Sequence, residues 1–271
     1  MHSPYFDDLE HLRHSESEGP LGEGDDDSQA EADDEEGSDG EQIEAGPDVP
    51  APSLDELRAA MDWAFAGEEV EPGVLDSYAR HAELLLDENR RVNLTAILDP
   101  KEVAAKHYLD SWRITQFLPL FGHTVVDVGT GGGFPAVPLA IAEPMARVTA
   151  IDSTRKKTEF VQRAVDELGL KNVQVHWGRA EDYLQTERAD FAIFRAVSSV
   201  RENVRTLRKV KQSVQDVVML KGKSWSREVR AAEREAERLG FRLDTVWEHS
   251  LPGGMGEHVI LVYQAPGALG R

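Results

Sequence analysis

The chain has 271 residues, with 30 lysines and arginines against 50 aspartates and glutamates, and no cysteine, which excludes disulfide frameworks, thiolate metal sites and cysteine nucleophiles. Its formal charge of −20 is uneven: residues 1–50 carry one basic and 18 acidic side chains, a net −17, whereas residues 51–271 carry 29 and 32, a net −3. No apolar run approaches the roughly 18 residues a membrane helix needs, and the acidic start lacks the basic-then-apolar order of a signal peptide; a cytoplasmic protein without a membrane partner is expected.

Residues 1–50 are rich in Gly, Ser and Pro and poor in large apolar side chains after Leu21, so burial cannot offset their ordering entropy, and a disordered acidic tail is expected. From Ser53 the texture changes. Ser53 with Glu56 reads as a capping box opening a helix to about Ala66. Pro72 opens a second helix, with Val74, Leu75, Tyr78, Ala82, Leu85 and Leu86 on one face. A third is expected from Asp99-Pro100 to about Phe117, carrying Val103, His107, Leu109 and Trp112. Residues 51–118 thus form a helical N-terminal segment. Asn93-Leu94-Thr95 matches a glycosylation pattern, which is expected to be chance.

From His123, short β-branched runs alternate with amphipathic stretches, the pattern of a parallel sheet covered by helices. Strands are expected at Thr124–Val128, Arg147–Ile151, Val173–Trp177, Phe191–Phe194, Val217–Leu220, Leu243–Glu248 and His258–Tyr263. Helices are expected at about 135–142, 154–168, 200–212 and 225–239. The last two strands are joined only by Leu251–Gly256, too short for a parallel crossover, so they should form an antiparallel hairpin. The expectation is a Rossmann-like α/β fold: a mostly parallel seven-stranded sheet over residues 119–265, ending in that hairpin, with 266–271 as a C-terminal tail.

The most informative segment runs from Val125 to Pro135, where an apolar strand enters a loop with Gly129, Gly131 and Gly133. Glycines let the backbone turn sharply and approach a ligand that a Cβ would obstruct. A P-loop is rejected, because Gly222-Lys223-Ser224 lacks its upstream glycine. A dinucleotide loop survives through Gly131-x-Gly133-x-x-Ala136. The S-adenosylmethionine loop, Asp-x-Gly-x-Gly-x-Gly, is matched at every position by Asp127, Gly129, Gly131 and Gly133, and class I methyltransferases carry such a loop on such a sheet. Asp152, ending the second strand, is placed to accept from ribose hydroxyls in either kind of site. After the third strand, Gly178-Arg179-Ala180-Glu181-Asp182 offers an acidic residue for the adenine side.

The fourth strand narrows the acceptor. Phe194-Arg195-Ala196-Val197 is not the Asn/Asp-Pro-Pro-aromatic segment common in enzymes that methylate exocyclic amines, and carbon-5 pyrimidine methylation by the usual route needs a cysteine. An already nucleophilic ring nitrogen such as guanine N7 remains, and its methylation releases no proton, so no general base is required. His81, His107, His123, His176, His249 and His258 show no metal spacing and are expected to be packed or surface residues; His11-x-x-His14 lies in the acidic tail. Arg155-Lys156-Lys157, Arg179, Arg195 and Lys221-Gly222-Lys223 all fall near carboxyl ends of strands, where a nucleic acid would approach. Arg201, Arg205, Arg208, Lys209 and Lys211 read as a solvated helix face.

Taken in order, Asn93-Leu94-Thr95-Ala96-Ile97 with Asp99-Pro100, His107-Tyr108-Leu109-Asp110-Ser111, Asp127 to Pro135, Asp152-Ser153 with Arg155-Lys156-Lys157, Gly178 to Glu181, Arg195-Ala196 and Leu220-Lys221-Gly222 resemble the bacterial guanine-N7 methyltransferases of 16S ribosomal RNA, the glucose-inhibited division protein B family, over about 53–264. The resemblance implies that Gly129, Phe134, Asp152, Ser153, Thr154, Ala180, Glu181 and Arg195 bind S-adenosylmethionine, with Arg195 reaching either its carboxylate or the RNA. It implies that Lys156, Arg179 and Lys221 line the guanine pocket, and that His107 and Asp110 face the cofactor end. It further implies 7-methylguanosine as product and the small ribosomal subunit, not DNA, as partner; a monomer is expected. The acidic extension departs from the family. The alternatives are a small-molecule methyltransferase and a non-catalytic S-adenosylmethionine-binding ribosome assembly factor.

Overall fold

A computed structural model describes residues 51–266; the acidic segment 1–50 and residues 267–271 lie outside the described residues. Ser53 opens helix α1 (Leu54–Ala64) with the expected capping box, its Oγ accepting from the Glu56 N–H at 3.3 Å while the Glu56 carboxylate accepts from the Ser53 N–H at 2.8 Å. Pro72 begins α2 (Pro72–Glu88), where its missing N–H has no intrahelical partner to lose. The third helix comes in three pieces. Asp99 caps α3 (Pro100–Val103), a π-helical turn follows over Ala104–Leu109, and α4 (Asp110–Phe117) completes it. Such wide turns concentrate at functional sites.

The seven strands are β1 (Thr124–Val128), β2 (Arg147–Asp152), β3 (Val173–Trp177), β4 (Ala189–Arg195), β5 (Val214–Lys221), β6 (Arg242–Leu251) and β7 (Gly256–Gln264), in the spatial order β3-β2-β1-β4-β5-β7-β6. The first five are parallel, and β7 runs antiparallel between β5 and β6, as the short connection requires. Strand order reverses at β1, between β2 and β4, so a crevice opens at the carboxyl ends of these strands. The covering helices are α5 (Ala136–Ala142), α6 (Arg155–Glu167), α7 (Ala180–Thr186), α8 (Val200–Thr206) and α9 (Trp225–Leu239).

Each sheet face buries its own core. On one face Leu57, Met61, Leu85 and Leu109 from the N-terminal helices join Val137, Phe160, Ile193 and Val218 in one cluster. On the other, Leu184, Val204, Leu207, Met219, Ala236 and Phe241 pack together. Each such large side chain contributes about 1.5–3 kcal/mol when fully buried, so the N-terminal helices are held to the sheet by the same apolar burial that holds the sheet itself. Among the described residues no helix is long and apolar enough to cross a membrane.

Two helix expectations need correction. The helix expected over 200–212 ends at Thr206, because Val210 N–H bonds Leu207 O and Ser213 N–H bonds Val210 O in successive turns that bury Leu207 and Val210. Its basic face is solvated as expected, with Arg201, Arg205, Arg208 and Lys209 exposed even where Arg201 donates to Ala231 O and Arg205 pairs with Glu235 at 2.9 Å, while half-buried Lys211 donates to Leu239 O at 2.7 Å. Helix α7 lies where no helix was expected; its seven residues are too few for a clear periodic signal, although Ala180 and Leu184 are both buried one turn apart.

Candidate active site

The ends of β1 to β4 and the loops after them enclose a cleft of about 510 Å³. Its walls are Gly129–Gly132 and Phe134 from the glycine loop, Ile151–Thr154 and Lys157 at and beyond the end of β2, Gly178–Glu181 after β3, Phe194–Val197 at and beyond the end of β4, Leu94 from the loop between α2 and α3, and His107 from the π-helical turn. Of the residues expected to hold a cofactor, the structure therefore brings Gly129, Gly131, Phe134, Asp152, Ser153, Thr154, Ala180, Glu181 and Arg195 together, with Arg179 beside them.

The loop earns its conformation residue by residue. Gly131 has φ +58° and open space where a Cβ would stand, so the cleft side of this residue is free for a ligand. Its N–H donates to Asp152 Oδ2 at 3.0 Å, and Thr154 N–H donates to Asp152 Oδ1 at 2.8 Å. A carboxylate has about four acceptor sites, so this nearly buried Asp152 retains capacity toward the cleft. Those features suit an adenosine ligand: an open cradle over glycine and an anchored carboxylate beside it.

Asp127 and Gly133 belong under the loop, not in the cleft. Asp127 is fully buried, its Oδ2 accepts from Ala136 N–H at 3.0 Å at the start of α5, and burial pushes its carboxyl up to about 7. Gly133 sits at φ +92° with Val137 and His81 so close that a Cβ would meet them at 2.8 and 3.3 Å. Both scaffold the turn.

Lys156 and Lys221 are likewise not in the lining. Lys156 is exposed at the start of α6, and the next residue, Lys157, about 100° further round the helix, faces the cleft instead. Lys221 turns away to bond Ser198 O and pairs with Glu228 at 2.9 Å.

The wall opposite Asp152 is built on Arg195. Its Nη1 donates to Lys106 O at 2.6 Å, its Nη2 to His107 Nδ1 at 2.7 Å, and its guanidinium lies 5.2 Å from the Phe134 ring centre. Because arginine only donates, His107 Nδ1 is an acceptor, and its Nε2–H donates to Thr95 Oγ1 at 2.8 Å. Burial, then the Arg195 charge, hold His107 well below the ordinary imidazole range. The ring stacks on Phe134 at 4.6 Å. His107 is thus neutral, with both nitrogens occupied.

Thr95 is in turn held by Asn89, whose Oδ1 accepts from Leu94 and Thr95 N–H and whose Nδ2 donates to Thr95 O at 2.9 Å. This explains why the Asn93-Leu94-Thr95 segment belongs with the glycine loop: Leu94 reaches the cleft and Thr95 fixes His107. Asn89 lies outside every motif legible in the sequence, and nothing in its spacing marks it. His81 packs between Phe134 and Phe160, takes the Tyr108 hydroxyl on Nδ1 at 2.9 Å, and is pushed by burial down to about 3.

Asp110 does not line the cleft. It is buried beneath it, where Oδ1 accepts from His249 Nε2 at 2.9 Å and His258 Nδ1 at 3.1 Å, and Oδ2 lies 3.9 Å from Arg195 Nη1. Burial pushes its carboxyl upward, but the two imidazole donors and the arginine charge prevail and hold it below the ordinary range. His249 and His258, expected as packed or surface residues, thus form a cluster with this carboxylate. Its members stand 139 and 148 residues apart, and no local pattern announces it.

The chain matches the family model described as GidB, rRNA small subunit methyltransferase G, over residues 75–252. It is 37% identical over 191 residues to the ribosomal RNA small subunit methyltransferase G of Solibacter usitatus, covering 69% of this chain and 89% of that one. It is 35% identical over 214 residues to the protein of the same name from Carboxydothermus hydrogenoformans, covering 77% and 91%. A solved SAM-dependent methyltransferase from Aquifex aeolicus aligns with a TM-score of 0.46 at 20% identity, covering 62% of this chain and 94% of that one.

Proposed function

Because the chain belongs to the GidB family of ribosomal RNA small subunit methyltransferases, we propose that it transfers a methyl group from S-adenosylmethionine to N7 of a guanine in 16S ribosomal RNA. The donor supplies an electrophilic methyl on a sulfonium sulfur. Asp152, fixed by the Gly131 and Thr154 amides, takes the ribose hydroxyls, and the open side of Gly131 lets the ligand lie against the backbone. Ala180 and Glu181 bound the adenine side, and Arg195 offers its charge to the anionic end of the donor. Arg179 and Lys157, at the mouth, receive the guanine and its phosphates.

The observation that carries this reading is the state of His107. Among the described residues it is the one histidine in the cleft lining, and its ring nitrogens are both committed to Arg195 and Thr95. The wall is built to hold, not to take a proton. Guanine N7 suits that wall: its in-plane lone pair forms the new N–C bond as the C–S bond breaks, the ring gains the positive charge, and no proton leaves. Rate then comes from alignment at about 3–3.5 Å between reacting atoms.

The test is methyl transfer from labelled S-adenosylmethionine to unmethylated small ribosomal subunits and to their extracted RNA, followed by nucleoside analysis. Label in 7-methylguanosine is the expected result, and the better substrate of the two shows whether assembly is needed. Label in another nucleoside, or cofactor binding without incorporation, contradicts the proposal.

A further inference from the structure

Arg195 is a largely buried cation whose hydrogen-bond partners, Lys106 O and His107 Nδ1, are neutral, as is the Phe134 face beside it. Two of its five N–H groups are spent on those partners, which leaves donors for the cleft. Among the described residues the carboxylate within ion-pair distance is Asp110, and at 3.9 Å it is too far for a direct hydrogen bond. A free carboxylate beside a guanidinium would close into a short bidentate pair and spend the charge. What holds Asp110 back is on its other oxygen. His249 on β6 and His258 on β7 stand directly opposite one another in the hairpin and both donate to Oδ1.

We propose that Asp110 is a positioning residue: anchored by the paired imidazoles of the C-terminal hairpin, it orients the Arg195 guanidinium toward an anionic group of the ligand without neutralising it. Asp110 also begins α4 directly after the π-turn that presents Lys106 O and His107 to Arg195, and its own N–H closes that turn on Ala105 O. The hairpin, the π-turn and the end of β4 therefore meet at one carboxylate. This inference rests on reading the cleft as an S-adenosylmethionine site, where the anionic group is the carboxylate of the amino-acid end.

The experiment compares two ligands by calorimetry: S-adenosylhomocysteine, which has that carboxylate, and 5′-methylthioadenosine, which lacks the amino-acid end. Asp110→Asn turns an amide N–H₂ toward Arg195, and the expected result is a loss of about tenfold or more for S-adenosylhomocysteine, with 5′-methylthioadenosine unchanged within about twofold. In an Arg195→Gln background the same change should have no further effect on either ligand. If Asp110→Asn does not fold, His258→Gln, at the more exposed imidazole, should give the same selective loss at about threefold. Equal losses for both ligands, or additive losses in the double variant, overturn the proposal. So does bound zinc in the wild type whose chelation lowers S-adenosylhomocysteine affinity, since the cluster would then be a metal site. Failure of the wild type to bind either ligand would instead strike at the cofactor reading itself.

Discussion

On one side of the cleft, Asp152 is fixed by backbone amides 21 and two residues away, those of Gly131 and Thr154. On the other, Arg195 rests on Lys106 and His107, 89 and 88 residues earlier, with Asp110 behind them tied to a hairpin near the C-terminus. The first side is built from short-range backbone geometry and tolerates little change in shape. The second is built from side chains meeting across the fold, so individual changes there should alter how well ligands are held before they alter the fold. One wall is rigid by local construction and the other by convergence.

The largest expected break is on the first side. Gly131→Val forces a β-branched residue to φ +58° and fills the open cradle, so S-adenosylhomocysteine affinity should fall by about a hundredfold or more, read by calorimetry. Its melting temperature should fall only a few degrees, by about 1–2 kcal/mol of stability. Loss of folding instead would show that the loop is structural first.

A stability effect comes next, beneath the same loop. The Asp127 carboxyl, raised by burial to about 7, binds a proton more tightly in the folded chain than in the unfolded one. Its contribution is therefore fully present below about pH 4 and is lost as pH rises through about 7, amounting to a few kcal/mol at most. Asp127→Asn should remove that loss, so melting temperatures of variant and wild type should diverge in the variant's favour between pH 4 and 8. A constant difference across that range would show that Asp127 is not protonated in the fold.

The smallest effect distinguishes adjacent lysines. Lys157→Ala should weaken binding to small-subunit RNA several-fold and lower the salt slope by about one, whereas Lys156→Ala should leave both nearly unchanged. Equal effects would mean that the RNA approaches over the outer face of α6 and not through the cleft mouth.

These differences follow how far each feature reaches along the chain. The seven strands, the capping box at Ser53, the hairpin and the glycine loop were legible because each is written in a few adjacent residues. That Lys157 and not Lys156 lines the cleft is not legible in the sequence, because a helix turns 100° per residue and a basic run does not say which member faces inward. Lys221 lies at the expected strand end, yet Glu228 on α9 draws it away. Asp127 and Gly133 carry the motif but serve the turn from below. The cluster of Asp110, His249 and His258 depends on the sheet placing β6 and β7 beside α4, which no single segment encodes.

The claim that the cleft works by holding its reactants and not by removing a proton is most directly tested by the pH dependence of a single turnover. With enzyme saturating over both labelled donor and unmethylated small subunits, the rate of methyl transfer should stay constant within about twofold from pH 6 to 9, because His107 is neutral and N7 has no proton to lose. A rate that climbs about tenfold per pH unit through part of that range would reveal a required base and contradict the account.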